Sequence, residues 1–183
     1  PEEPKKTEIP ETLPGSGGGP AILYDRSIIN SDTTIPDLDT PSAKAYRVED
    51  RREAASQLFA LICTPGLPIR DEIIDDLKAG DIPGLMKLVD WGKVHWPPLN
   101  QTAMAMIYRR PMGGKVTSTY DADGFRITEY DIPTQVIKPL GSAIRELGIR
   151  KITHRAIRPN NLFYMDEERT QMVLGDCATT PPG

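Results

Sequence analysis

GIRKITHRAIRPNNLF, residues 148–163, is the stretch that decides the fold. His154 and Arg155 open a polar loop, Pro159 stiffens it, and Asn161 leads into the apolar pair Leu162-Phe163. Just before it, Val136, Leu140, Ala143, Ile144 and Leu147 recur at helical spacing, with Pro133 at the start and Gly148 at the end. Pro139 inside that stripe predicts a kink or a separate first part, because it cannot donate a backbone hydrogen bond. Just after the loop comes VLGDCA, residues 173–178, joined to it by a predicted hairpin that turns near Asp166, Glu167 and Glu168.

Working outward, residues 102–108 (TAMAMIY) are apolar on both faces and read as a central strand. Residues 85–95 predict its neighbour, and Arg109 to Gly114 (RRPMGG) breaks the run. Residues 117–119 and 125–129 flank Asp121-Ala122-Asp123-Gly124, which reads as a hairpin turn. Residues 21–30 predict a strand or hairpin arm, and residues 43–49 (AKAYRVE) a second strand. Asp50 and Glu53 have capping-box spacing, and Ala55, Leu58, Phe59 and Ile62 recur as a helix would place them. A helix from Asp50 to the residues before Pro65-Gly66 is therefore expected. A further helix is expected from Pro68 to Ala79, with Ile69, Ile73, Ile74 and Leu77 inward. Residues 1–20 hold five prolines and a glycine-rich run, the composition of a flexible linker.

The loop resembles the catalytic loop of eukaryotic-type Ser/Thr protein kinases, whose pattern is H-R-D-L-K-P-x-N. His154, Arg155, Pro159 and Asn161 match it, Arg158 stands for the loop Lys, and Ala156 stands where the catalytic Asp belongs. Asp176, Cys177 and Ala178 are similar to the family's metal-binding D-F-G, with only the Asp kept. Ala45-Tyr46-Arg47-Val48 resembles the family's third strand, with Arg47 in the Lys place, and residues 102–114 resemble its fifth strand and hinge. The resemblance implies an α+β fold: a kinase-like small lobe, an antiparallel sheet plus helices, with the first part of the large lobe. It divides the chain into a linker at residues 1–20, small lobe and hinge at 21–112, and the start of the large lobe at 113–183.

The departures matter more than the matches. Phosphoryl transfer rests on positioning and charge neutralisation, and the family's Asp orients the attacking hydroxyl and accepts its proton. A methyl at position 156 can do neither. No glycine occurs from Pro20 through Pro65, so the loop that would cover the phosphates is missing. Arg47 is a wide planar fork and does not replace a compact ammonium. His154, Arg155 and Arg158 remain as loop framework; Arg47, Asn161 and Asp176 outline a vestigial nucleotide site, in which Asn161 and Asp176 are the metal-ligand types. The resemblance thus implies a pseudokinase: a scaffold or regulatory module with no required cofactor and at most residual ATP and Mg²⁺ binding. A protein partner, or more of the same polypeptide, is expected to cover the helix over residues 139–147.

Two other readings stand beside this one. An atypical active phosphotransferase would recruit Asp166, Glu167 or Asp121 in place of the missing carboxylate. An unrelated α+β peptide-binding module would use Trp91, His95, Trp96, Pro97 and Pro98 as an aromatic surface. A net charge of −4 over 183 residues argues against a nucleic-acid binder, and no apolar run is long enough for a membrane span. Two cysteines without metal-type spacing, Cys63 and Cys177, fit a reducing, cytoplasmic setting.

Overall fold

The structure, a computed structural model, describes residues 19–179. The expected linker at residues 1–20 falls almost wholly outside them. Six strands form one antiparallel sheet: β1 (Ala21–Leu23), β2 (Ser27–Thr34), β3 (Ala43–Asp50), β4 (Leu58–Cys63), β5 (Leu88–Trp96) and β6 (Gln101–Arg109). Their order is β1-β2-β3-β4-β6-β5, so β6 lies between β4 and β5 as its apolar faces require. The sheet curls until β1 reaches β5, where Tyr24 OH donates to Trp91 O at 2.8 Å.

The expected helix after Asp50 is instead the end of β3, a turn and strand β4. Every residue of Leu58–Cys63 is buried, and a short run buried on both faces carries no period to distinguish strand from helix. Leu58, Ala60 and Ile62 enter one core with Ile29, Val94 and Ile107. Phe59, Leu61 and Cys63 enter the other with Met106 and Tyr108. The Asp50 carboxylate caps no helix: it accepts from Arg26 Nη2 at 2.6 Å and from Arg52 N at 2.8 Å.

Helix α1 (Asp71–Ala79) buries Ile73, Ile74 and Leu77, with Asp71 and Glu72 in its first turn and Lys78 in its last, each sign favoured by the helix dipole. Pro133–Ile137 forms a π-helical turn that leads into α3 (Lys138–Ile149). The wide turn sits where Pro139 withdraws a donor, which accounts for the predicted irregularity. A second sheet joins β7 (Gly114–Lys115), β8 (Leu162–Tyr164) and β9 (Met172–Leu174) in that order. Between β7 and α3 the expected hairpin is absent: Val116–Asp123 is helix α2. Gly124 is its left-handed C-cap at φ +67°, so the Asp-Gly pair ends a helix where a hairpin turn was expected.

The two sheets are tied together through the segment before β5. Met86 N donates to Leu174 O and Leu174 N donates to Gly84 O, both at 2.8 Å. Gly84 has φ +76°, and a Cβ there would collide with the Pro139 carbonyl, so only glycine lets this crossing pack against the start of α3.

Candidate functional site

The loop between α3 and β8 folds back on the end of β9. His154 is buried, its Nε2 lies 3.2 Å from Gly175 O, and its Nδ1 accepts from Ala156 N at 3.2 Å. Since Nδ1 accepts, Nε2 carries the proton and donates to Gly175 O. Burial holds the imidazole below its ordinary pKa, so it stays neutral and structural. Asn161 Nδ2 donates to Ala156 O at 3.0 Å and to Asp176 O at 2.9 Å. Gly175 N donates back to Asn161 O at 2.8 Å. A Cβ on Gly175 would collide with Asn161 Oδ1, so this clamp needs the glycine before Asp176.

Asp176 is 4% exposed and its carboxylate is surrounded by donors. Oδ1 accepts from Tyr108 OH at 2.5 Å and from Ala178 N at 2.9 Å. Oδ2 accepts from Thr179 N at 2.8 Å and from Thr179 Oγ1 at 2.5 Å. A carboxylate has about four acceptor sites, and these bonds take them. Tyr108 is a fully buried side chain near the end of β6. Burial, then the Asp176 charge, push its phenol well above its ordinary pKa, so it serves as a neutral donor.

Arg70, just ahead of α1, closes the same region from another side. Its Nη1 donates to Thr153 O at 2.8 Å and to Cys177 O at 3.2 Å, and its backbone N to Ala178 O at 3.1 Å. Neither Tyr108, Arg70 nor Thr179 is marked by a local motif; they meet Asp176 and its loop only through the fold. Burial, then Asp176, push both Cys63 and Cys177 up to about 12, so neither thiol is a nucleophile at neutral pH.

The site residues expected from the sequence therefore divide. His154, Ala156, Asn161 and Asp176 form one hydrogen-bonded cluster. Arg155 is exposed in the left-handed region at φ +64°. Arg158 precedes the turn Pro159–Asn161. Arg47 is not brought to this cluster. The strand that leads into α1 and borders β6 is β4, and the register sets Arg47 across from Phe59. Arg47 is exposed and lines a cavity with Glu49, Ser56 and Arg110. Strand β4 itself, LFALIC, carries no cation, and Cys63 is the β4 residue that feels the Asp176 charge.

Asp166 accepts from Thr170 N, Thr170 Oγ1 and Gln171 N, which makes it the keystone of the β8–β9 turn. Trp96 is buried and packs on Tyr46 with ring centroids 4.7 Å apart, and Trp91 Nε1 donates to Asp75, so these rings do not make an open aromatic surface.

A curled antiparallel sheet carrying one helix, joined to a second sheet through the segment before β5 and the Tyr108–Asp176 bond, is a kinase-like fold. The chain is similar to Rad53 residues 1–466 in complex with AMP-PNP, with a TM-score of 0.66 at 13% identity over 86% of this chain. It is also similar to the autoinhibited serine kinase domain of the giant muscle protein titin, with a TM-score of 0.60 at 15% identity over 83% of this chain. The match spans 39% and 44% of those two chains. No protein-family model and no curated protein matches the sequence. The likeness supports a kinase-like fold over an unrelated α+β fold.

Asn161 and Asp176, the residue types expected to hold a magnesium ion, are engaged within the protein. Magnesium is bound through one or two carboxylates, with waters and phosphate oxygens completing its octahedron. Asp176 accepts four hydrogen bonds, and Asn161 donates its amide nitrogen to two backbone carbonyls. Among the described residues no cluster of three or more His, Cys, Asp and Glu side chains stands together to hold a metal ion. No helix of the described residues is long and apolar enough to cross a membrane.

Proposed function

We propose that this chain is a pseudokinase module, of Ser/Thr-kinase ancestry, that holds a kinase-like shape for protein contacts and does not transfer phosphate. The observation that carries this reading is the fully committed Asp176 carboxylate beside a methyl at position 156. Without an acceptor at position 156 the attacking hydroxyl has no base, a loss of about 10²–10⁴-fold in rate. With Asp176 held by Tyr108 and Thr179, charge neutralisation is lost as well. The resemblance to Ser/Thr kinases rests on His154, Arg155, Pro159 and Asn161, of which His154 and Asn161 here bind the loop to the residues after β9.

Incubation with [γ-³²P]ATP, Mg²⁺ and generic protein substrates is expected to give no transfer above an Asn161→Ala control. Transfer that depends on Asn161 overturns the reading. Saturating Mg²⁺–ATP is likewise expected to leave the melting temperature unchanged, whereas a ligand at a hundred times its Kd would add about 2.7 kcal/mol.

The scaffold half of the reading is supported by the outer face of α3. Ile144 and Ile149 of α3, and Ile137 just before it, are 48%, 69% and 63% exposed, while Ala143 and Leu147 are buried. Large apolar side chains left exposed along one helix mark a contact surface. We propose that a protein surface, from a partner or from further polypeptide, packs there. Isolated residues 1–183 should bind the dye ANS, and Ile144→Asp should reduce that signal without lowering the melting temperature. Absence of dye binding counts against a covered face.

A further inference from the structure

Arg47 and Arg110 have no ion-pair partner among the described residues, although they share one cavity. The register explains the meeting: Arg47 on β3 stands across from Phe59 on β4, and Arg110 N donates to Gln57 O at 2.9 Å, two residues earlier on the same rim. The cavity measures about 290 Å³ and its walls include Asn30, Thr33, Arg47, Glu49, Ser56 and Arg110. Ser56 Oγ is buried without a hydrogen-bond partner, and Ser56 lines this cavity. A second cavity of about 440 Å³ shares Ser56 and Arg110 with the first.

Two like charges set side by side repel, and the repulsion is felt: Arg110 lies below its ordinary pKa through burial first and the Arg47 charge second. A fold of net charge −4 has carboxylates to spare for pairing, as Asp50 does for Arg26 and Asp90 for Lys78. Glu49 stands on the cavity wall yet lies beyond 4 Å of either guanidinium, since no ion pair joins them. An anion between the two forks would cancel the repulsion and fill their donors bidentately. A ligand bearing an ammonium group would be repelled by this wall.

We propose that this cavity is an anion site, in which Arg47 and Arg110 grip a phosphoryl group and Ser56 adds a hydroxyl donor. The site is independent of Asp176 and Asn161, and it would give a module without phosphotransfer a means of sensing phosphate. The phosphoryl group can belong to a free anion or to a phosphorylated side chain.

The test is isothermal titration calorimetry of residues 1–183 at constant ionic strength, with inorganic phosphate, a phosphoserine peptide and the same peptide unphosphorylated. Saturable phosphate binding is expected, weakened about tenfold or more in Arg47→Met and in Arg110→Met, since each removes charge-assisted hydrogen bonds. Arg47→Lys keeps the charge and loses the fork, so it should recover only part of the affinity. Glu49→Gln should tighten binding, an effect that a merely structural role for these residues does not produce. Arg145→Met, on the exposed face of α3, should change nothing. Tighter binding of the phosphopeptide than of free phosphate assigns the site to a modified protein; equal binding assigns it to a small anion. No saturable phosphate binding, or binding that both arginine variants retain, overturns the proposal.

Discussion

Asp176→Ala is expected to cost about 3–5 kcal/mol of folding stability, read from the urea midpoint. In a working phosphotransferase the equivalent carboxylate faces a metal, and its loss falls on activity. Here the carboxylate is buried and receives the Tyr108 hydroxyl, the Ala178 and Thr179 amides and the Thr179 hydroxyl. Its removal strands these donors, each worth about 1–3 kcal/mol when left unmade in the interior. The sum overshoots the expected loss, because water can enter the space vacated and some donors relax toward it. Asp176→Asn keeps the shape but turns an amide nitrogen toward two of the donors, and should recover little. Tyr108→Phe removes one bond to a charged group and should cost about 1–2 kcal/mol. A well-folded domain of this size has only about 5–15 kcal/mol in hand, so Asp176→Ala is also expected to express poorly, and Tyr108→Phe keeps the measurement possible. A loss below about 1 kcal/mol in Asp176→Ala would mean that the carboxylate is free for a metal.

The parts of this cluster differ in how far the sequence discloses them. His154, Asn161 and Asp176 announce themselves because a turn that must satisfy buried backbone groups admits few residue types, and their spacing is local. Tyr108 sits 68 residues from Asp176 and Arg70 is 83 from Thr153, so no window along the chain holds both partners. Strand β6 and helices α1 and α3 are legible because each has one dominant pattern: apolar throughout, or a stripe ending in a cap. Strand β4 is illegible for the reason that makes it central, since a residue run buried on both faces has no period. Misreading β4 as a helix also displaced Arg47, which then seemed to border the strand before the hinge. Helix α2, VTSTYDAD, lacks an apolar stripe and closes on Gly124, so its composition favours a turn until the neighbouring Thr119 and Gly114 are seen packed together.

Ala156→Asp restores the missing carboxyl and is expected to give no phosphotransfer and a destabilisation of about 2–4 kcal/mol. Ala156 is 1% exposed, its amide donates to His154 Nδ1 and its carbonyl accepts from Asn161 Nδ2. The new carboxylate would enter a place where the nearby donors already have partners. Neutral His154 cannot compensate it: its Nε2 proton is given to Gly175 O, and burial opposes a second proton. Movement of the side chain toward solvent would relieve the charge, but only by breaking the clamp that Asn161 makes to Ala156 O and Asp176 O. Chemistry would still lack a cation on β4 and a free oxygen on Asp176. Paired with Tyr108→Phe, which removes one of the hydrogen bonds to Asp176 Oδ1, the variant remains without that cation and is expected to stay inert. The measurement is radiolabel transfer beside a denaturation curve for each variant. An Ala156→Asp protein that folds as well as the parent and transfers phosphate at 10²-fold or more above it would show that the cleft is a competent site short of one base, and the commitment of Asp176 to Tyr108 and Thr179 would then have to be reversible.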